Sequence, residues 1–403
     1  MLLGVGAMAC DRGPVAGPVP VPVPVPRDAA SIDLGDREVA EVGPDAPAII
    51  AEPGVGLMHT ADQLREIRAR RALEPWSTAL WALLAEADAA LERTPAPVED
   101  LHVPPYYQDP QGHEAAKRAI ADDGYAAYAL ALAYQLAAAP EQGERYAAKA
   151  VEILDAWARV NRTVSGDDGT LVMVYKGVHL LYAGDLVARW PGWDPAAQAS
   201  FRAWVGSTFR AAADDKKGDA NNHGAWGTFG AIATAAILQE TVHLEEEIER
   251  VRVRIRDSID ENGELPAENR RTNSGMWYSY FALAPVTGSA QIARNVHGVD
   301  LFHYVAPSGR SIRQALDRLF FYSQHPEQWP YPLPAGALGD LWRVLYPCAD
   351  EVELPTPTAW PGNLFEAMAD EYGARDWSAW VAPYRPQRGG HVWIYPTLSV
   401  RSP

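Results

Sequence analysis

The stretch HEAAKRAIADDGYAAYALALAYQLAA, residues 113–138, decides the fold class. It is rich in alanine, the strongest helix former, and it sets Tyr125, Tyr128 and Leu132 three and four residues apart, on one side of a helix. The same period extends in both directions. Upstream, Thr60-Ala-Asp-Gln63 has the form of a capping box, followed by Leu64, Ile67 and Leu73. Residues 76–91 carry apolar side chains at helical spacing, and 145–160, 173–190, 196–212, 222–240 and 244–259 continue the series. In the last of these Leu244, Ile248, Val251 and Ile255 face inward, and Glu246 stands four residues before Arg250 on a solvated face. Further helices are expected over 275–283, 309–322, 338–345 and 363–372. The one strand signal is HVWIYPTLSV, residues 391–400, which predicts a short β segment near the C-terminus.

Many helices joined by short loops, with no sheet to cover, predict stacked helical hairpins. Over this length such hairpins commonly close into an incomplete (α/α) toroid, here of about six or seven hairpins, with a cleft along one face; this step is by analogy of fold class. The expected organisation is an all-α toroid over 46–403, preceded by a tether over 11–45 and a signal segment over 1–10.

The 403 residues hold 48% hydrophobic and 22% charged side chains, ordinary values for a globular protein with a sizeable core. The formal net charge of −17, with no basic cluster longer than a pair, argues against nucleic acid and anionic membrane as partners. A polyanionic ligand would need a locally positive cleft, for which Lys176, Lys216, Lys217, Arg270 and Arg271 are available. The two cysteines, Cys10 and Cys348, form no disulfide framework, and Cys348 reads as a buried structural thiol rather than a nucleophile.

Residues 1–9 are short, apolar and small, and Ala7-Met-Ala-Cys10 resembles a bacterial lipobox. From Gly17 the chain reads GPVPVPVPVP, which can form neither a helix nor an interior strand and makes a stiff extended tether. Cys10 to Arg27 would span roughly 50 Å at about 3.1 Å per residue. Lipid anchor, spacer and domain together predict a secreted lipoprotein whose contact with the membrane is through that anchor. The plainer alternative is a cleaved signal with an incidental cysteine.

Two segments carry chemistry. The first, Gly218-Asp-Ala-Asn221-Asn222-His223-Gly224-Ala-Trp226, leaves a polar loop and opens a helix, where exposed amides favour an anion. Read structurally, it is an N-cap with a packed histidine. The second runs from Glu264 through Glu268, Arg270, Arg271, Trp277, Tyr278 and Tyr280 to Pro285. Arginine grips carboxylates in a bidentate manner, and aromatics stack on sugar faces. Read structurally, it is an amphipathic helix with Trp277 and Phe281 in the core.

On these residues the chain resembles the alginate lyase superfamily, with polysaccharide lyase families 5 and 38 the nearest groups. The pattern is Asn221-Asn222-His223-Gly224-x-Trp226, then Arg271-x6-Tyr278-x-x-Phe281-Ala-Leu-x-Pro285. A weaker likeness runs from His102 to about Phe321 and includes Pro105-Tyr106-Tyr107-Gln-Asp-Pro110. The resemblance implies an (α/α) toroid, a uronic-acid polymer such as alginate or glucuronan as partner, and no metal or other cofactor. By position, Asn222 and His223 match the family's Asn-His pair, Arg271 its arginine and Tyr278 its tyrosine, with Arg270 an adjacent competitor. Ser279-Tyr280 stand where family 5 often has His-Asn, and the chain after Pro330 matches no family pattern, which leaves the polymer open.

These residue types suit β-elimination. Removing the C5 proton of a uronate makes a dianionic enolate, so its carboxylate must be neutralised by donors placed in advance, here Asn222, Arg271 and His223. Mannuronate and glucuronate present the C5 proton and O4 on one side of the ring, so Tyr278 can serve as both base and acid, provided cations such as Arg271 favour its anion. Guluronate presents them on opposite faces, with His223 as base and Tyr278 as acid. Tyr106, Tyr107, Trp226 and Tyr280 are candidate sugar contacts, with Lys176 and His179 on a helix expected to face the cleft. The remaining histidines show no metal-ligand spacing. A monomer is expected.

Two rival readings stand beside this one. A glycoside hydrolase needs two opposed carboxylates, for which Asp214, Asp215, Asp219, Glu264 and Glu268 can be nominated. A non-catalytic glycan-binding lipoprotein would keep the aromatics without needing Tyr278 beside Arg271.

Overall fold

Helices that are apolar all round make the inner layer of the molecule, because a helix with no polar face must bury every side. The computed structural model describes residues 54–271, 274–325, 328–331 and 360–401. The lipobox, the tether, Cys348 and the helix expected over 338–345 lie outside the described residues. Four inner helices pack in succession: α3 (Pro110–Leu136), α5 (Gly169–Val187), α8 (Asn222–Leu238) and α11 (Gly275–His297). In α5 every residue except Thr170 is buried.

Amphipathic helices form the outer layer. Helix α1 (Ala61–Arg70) opens on the capping box that Thr60 and Gln63 predict, both halves of which are formed. Helices α2 (Trp76–Leu91) and α4 (Pro140–Val160) back α3. Helix α6 (Pro195–Trp204) runs through a π turn at Val205–Phe209 into α7 (Arg210–Lys216), which backs α8. Helix α9 (Thr241–Ser258) turns Leu244, Ile248, Val251 and Ile255 inward, as the sequence pattern predicts. After the short α10 (Pro266–Asn269) come α12 (Ile312–Gln324) beside α11, then α13 (Gly362–Tyr372) and α14 (Arg375–Val381). The outer-inner alternation along the chain is the all-α (α/α) toroid. No helix among the described residues is long and apolar enough to cross a membrane.

Two expectations are corrected. Residues 391–400 form no strand; they run irregularly into a 3-10 turn at Pro396–Ser399. Their alternation is deceptive because nearly the whole segment is buried, and its polar backbone is met by side chains instead of a neighbouring strand. Lys176 and Tyr125 donate to Gly390 O, and Asn363 donates to Trp393 O at 3.1 Å. The strands that do form are β1 (Asp100–His102) and β2 (Thr163–Ser165), a parallel pair with Leu101 opposite Val164. The second correction concerns α11, which does not stop at residue 283 but runs through Pro285. Proline removes the one helical hydrogen bond that Phe281 O would accept, and the near-complete burial of α11 on both sides of it carries the helix through.

Candidate active site

The site is built where α8 begins. Asn221 caps the helix, its side-chain oxygen accepting from His223 N at 3.0 Å. The loop before it is pinned from α9 by Arg254, which donates to Lys217 O at 2.7 Å, to Asp219 O at 2.9 Å and to Thr228 Oγ1 at 2.7 Å. Gly224 is required by this closeness, since a Cβ there would sit 1.8 Å from Asp219 O. The glycine of the Asn-Asn-His-Gly motif is thus a packing requirement of the loop that presents the histidine.

Asn222 is fully buried. Its backbone N–H and its side-chain Nδ2 both donate to Glu268, the latter at 2.8 Å. Its Oδ1 is buried without a partner among the described residues. His223 is partly exposed, with Nδ1 3.7 Å from Asp219. Burial, with Lys216 and Arg271 nearby, holds its imidazole below the ordinary histidine range, against the pull of Asp219 and Asp168. It is a neutral ring at neutral pH.

Glu268 lies on α10, and Arg271 follows directly, its N–H donating to Glu268 O at 2.9 Å. The Arg271 guanidinium lies over the Tyr278 ring, 3.8 Å from its centroid. Tyr278, in the first turn of α11, shares a short hydrogen bond with the hydroxyl of Tyr107, which is 69% exposed. Arg271 does not win the contest for the phenol. Burial and the Tyr107 hydroxyl push Tyr278 well above the usual tyrosine range despite the cation over its face, so at rest it is a protonated acid, as the guluronate case expects, rather than the anion that mannuronate or glucuronate would require.

The structure brings Asn222, His223, Arg271, Tyr278 and Tyr107 together, linked through Glu268 and the charges around His223. Tyr106 joins them by packing edge-on against Tyr107 at 5.5 Å, its N–H donating to Asp168 at 2.7 Å. Arg270 is exposed. The other nominated residues belong to the core. Trp226 is 0% exposed and packs on Tyr175, Phe229, Phe281 and His391. Tyr280 is buried against Trp360 and His391. Lys176 is buried with its ammonium on Tyr125 Oη at 2.6 Å. His179 is held between the carbonyls of Lys176 and His391 at 3.0 and 3.1 Å, and burial lowers it to about 3, so as a neutral ring it donates to only one of them. Sequence periodicity places these four on helices without saying which side faces the cleft.

Two residues escape the sequence reading of the lyase site. Glu268 is nominated there only as a hydrolase carboxylate. Asp168 holds Tyr106 and meets His113 at 3.2 Å, contacts that outweigh burial and keep its carboxyl below the usual range. The hydrolase nominees are otherwise engaged: Asp214 pairs with Lys217, Asp215 with Lys216 and Thr170, and Glu264 with Tyr322 and Tyr331. One surface trio, Asp300, His303 and Glu371, has cation-ligand spacing, but Arg294 already pairs with Glu371 at 2.5 Å.

The helical toroid is the architecture of solved alginate lyases. The fold matches alginate lyase A1-III from Sphingomonas species A1 with a TM-score of 0.68 at 18% identity, over 88% of this chain and 98% of that one. It matches an alginate lyase from Bacteroides ovatus with a TM-score of 0.64 at 18% identity, over 87% of this chain and all of that one. The alginate lyase family model matches residues 66–329, well over half of the sequence, and the chain belongs to that family. A polysaccharide lyase of Stenotrophomonas maltophilia (strain K279a) is 26% identical over 161 residues, 38% of this chain. The chain spans about half the length of that curated relative, 48%.

Proposed function

We propose that this protein is a polysaccharide lyase that cleaves a uronic-acid polymer, alginate or glucuronan, by β-elimination. The observation that carries the reading is the stack of Arg271 on Tyr278 beside a neutral His223: a fixed cation, a proton donor and a proton acceptor in one site. A tyrosine-to-phenylalanine variant of alginate lyase A1-III has been solved complexed with tetrasaccharide, which supports an oligosaccharide ligand for this fold.

The resting protonation states favour the division of labour that guluronate, with its C5 proton and O4 on opposite faces, requires. The imidazole of His223 takes the proton from C5 while Asn222 and Arg271 neutralise the carboxylate and hold the developing enolate. The electron pair left on C5 forms the C4–C5 double bond, the C4–O4 bond breaks, and O4 leaves with the proton of Tyr278. Proton return from His223 to Tyr278 resets the site. A polymer with the C5 proton and O4 on one side of the ring would need Tyr278 to lose its proton before attack, against the burial that now keeps it protonated.

The test is incubation with polymannuronate, polyguluronate, glucuronan and hyaluronan while ultraviolet absorbance is followed. An unsaturated product end absorbs. Chain cleavage without new absorbance would mean hydrolysis, and binding without cleavage would mean a glycan-binding protein. The same reading makes the protein a secreted lipoprotein that works as a monomer, anchored through Cys10. Incorporation of labelled palmitate, abolished by Cys10→Ser, tests the anchor.

A further inference from the structure

We infer that Glu268 is a positioning residue for Asn222, setting the one direction in which that amide offers a hydrogen bond to the substrate carboxylate. The inference rests on the lyase reading above. Glu268 is buried, and its two oxygens are divided between the Asn222 backbone N–H and Asn222 Nδ2. A terminal amide turns about a broad, roughly two-fold torsion, so its oxygen and nitrogen exchange places easily unless a neighbour chooses between them. An ionised carboxylate only accepts. Turned over, Asn222 would set its oxygen against the oxygen of Glu268, two acceptors in contact. Glu268 therefore holds Nδ2 toward itself, and the second N–H of that group is left for a ligand. Asn222 Oδ1 has no partner among the described residues, so nothing on the oxygen side of the amide opposes this choice.

The same residue reaches the other half of the carboxylate clamp, because its carbonyl accepts from Arg271 N. Burial raises the Glu268 carboxyl above its usual range, opposed by the two hydrogen bonds from Asn222 and by Arg271 and Arg254; that both of its oxygens accept from Asn222 is what fixes its role as acceptor. The rival role is a helix cap, since Asn222 N–H is one of the unpaired donors at the start of α8. A cap alone would show in stability and would act independently of the Asn222 side chain.

The experiment measures kcat, KM and thermal midpoint for wild type, Glu268→Gln, Asn222→Ala and the double variant on the best polymer. Glutamine can donate to Asn222 and turn its amide over. Glu268→Gln is expected to lower kcat by about a hundredfold, the scale of losing one prepared donor, with KM changed less than about twofold. In the Asn222→Ala background it should cost no further kcat. Equal losses in both backgrounds, or unchanged kcat in the first, overturn the proposal. Should Asn222→Ala fall below detection, the first comparison decides, and a loss confined to KM or thermal midpoint overturns it. If Glu268→Gln does not fold, Glu268→Ala takes its place, since it too leaves the amide of Asn222 unheld, with the same criteria. An inactive wild type overturns the lyase reading and this proposal together, whereas an active wild type with additive losses overturns the role of Glu268 alone.

Discussion

The Arg271 guanidinium covers one face of the Tyr278 ring while the Tyr278 hydroxyl bonds that of Tyr107. A cation on the ring face is held by the ring quadrupole and does not cover the hydroxyl edge, where proton transfer takes place. The geometry explains why the phenol stays protonated: the charge sits on the ring's face, and burial dominates. Arg271→Lys keeps the charge but loses the flat stack, and kcat/KM is expected to fall about ten- to thirtyfold, matching the ~1–2 kcal/mol of a partly desolvated cation–π pair. A change of less than twofold in steady-state rates would show that the stack does not serve the reaction.

Tyr278→Phe removes the proton that O4 must collect. Turnover should drop by about 10²–10⁴-fold, the range of a lost general acid. Affinity for oligouronate, measured by calorimetry, should change little. Undiminished turnover would remove Tyr278 from the mechanism.

The pH profile of kcat/KM should lose its acid limb below the ordinary histidine range. His223 must be unprotonated to accept from C5, and burial beside Lys216 and Arg271 depresses its pKa. Activity is therefore full at neutral pH and falls as pH drops through that lowered value. A limb centred above pH 7 would contradict the assignment.

Stability should show a related sign. Burial lowers His59 to about 4 and His179 to about 3. In the unfolded chain each takes a proton near pH 6.5, so the folded state loses stability as pH falls below that value. Each contributes a loss of about 2 kcal/mol by pH 5. Asp185, raised by burial to about 6, acts with the opposite sign over this window, so the check is urea unfolding at pH 7 and pH 5 of wild type against His59→Gln and His179→Gln; an equal pH dependence in wild type and both variants would mean that both rings protonate in the folded state.

Trp226 should behave as core and not as a sugar platform. Trp226→Phe is expected to lower the thermal midpoint and leave KM within about twofold, while Trp226→Ala should cost about 3–5 kcal/mol of stability. Gly224→Ala, whose new methyl would press on Asp219 O, should cost about 1–3 kcal/mol or more and displace His223. A raised KM in Trp226→Phe with unchanged stability would return Trp226 to the cleft.

The helical periods of α2, α9 and α13 are legible in the chain because each follows from spacing within about twenty residues. So are the Thr60 capping box and the chemical types at Asn222, His223, Arg271 and Tyr278. What lies beyond local pattern is direction. Lys176, His179, Trp226 and Tyr280 sit on helices whose every face is buried, so no period marks a cleft side, and only the packed neighbours place them inside. The alternation of 391–400 reads as a strand, yet a partner strand is a property of the whole fold, and side chains of α3, α5 and α13 take its place. Local pattern in the chain settles a mainly helical body and the residue types of a carboxylate-handling site, and the toroid follows from it only by analogy and family resemblance. Tertiary structure alone decided that Glu268 rather than solvent faces Asn222, that Arg271 lies on the ring of Tyr278, and that burial outweighs that cation, because pairings across tens of residues and their desolvation exist only once the helices have closed.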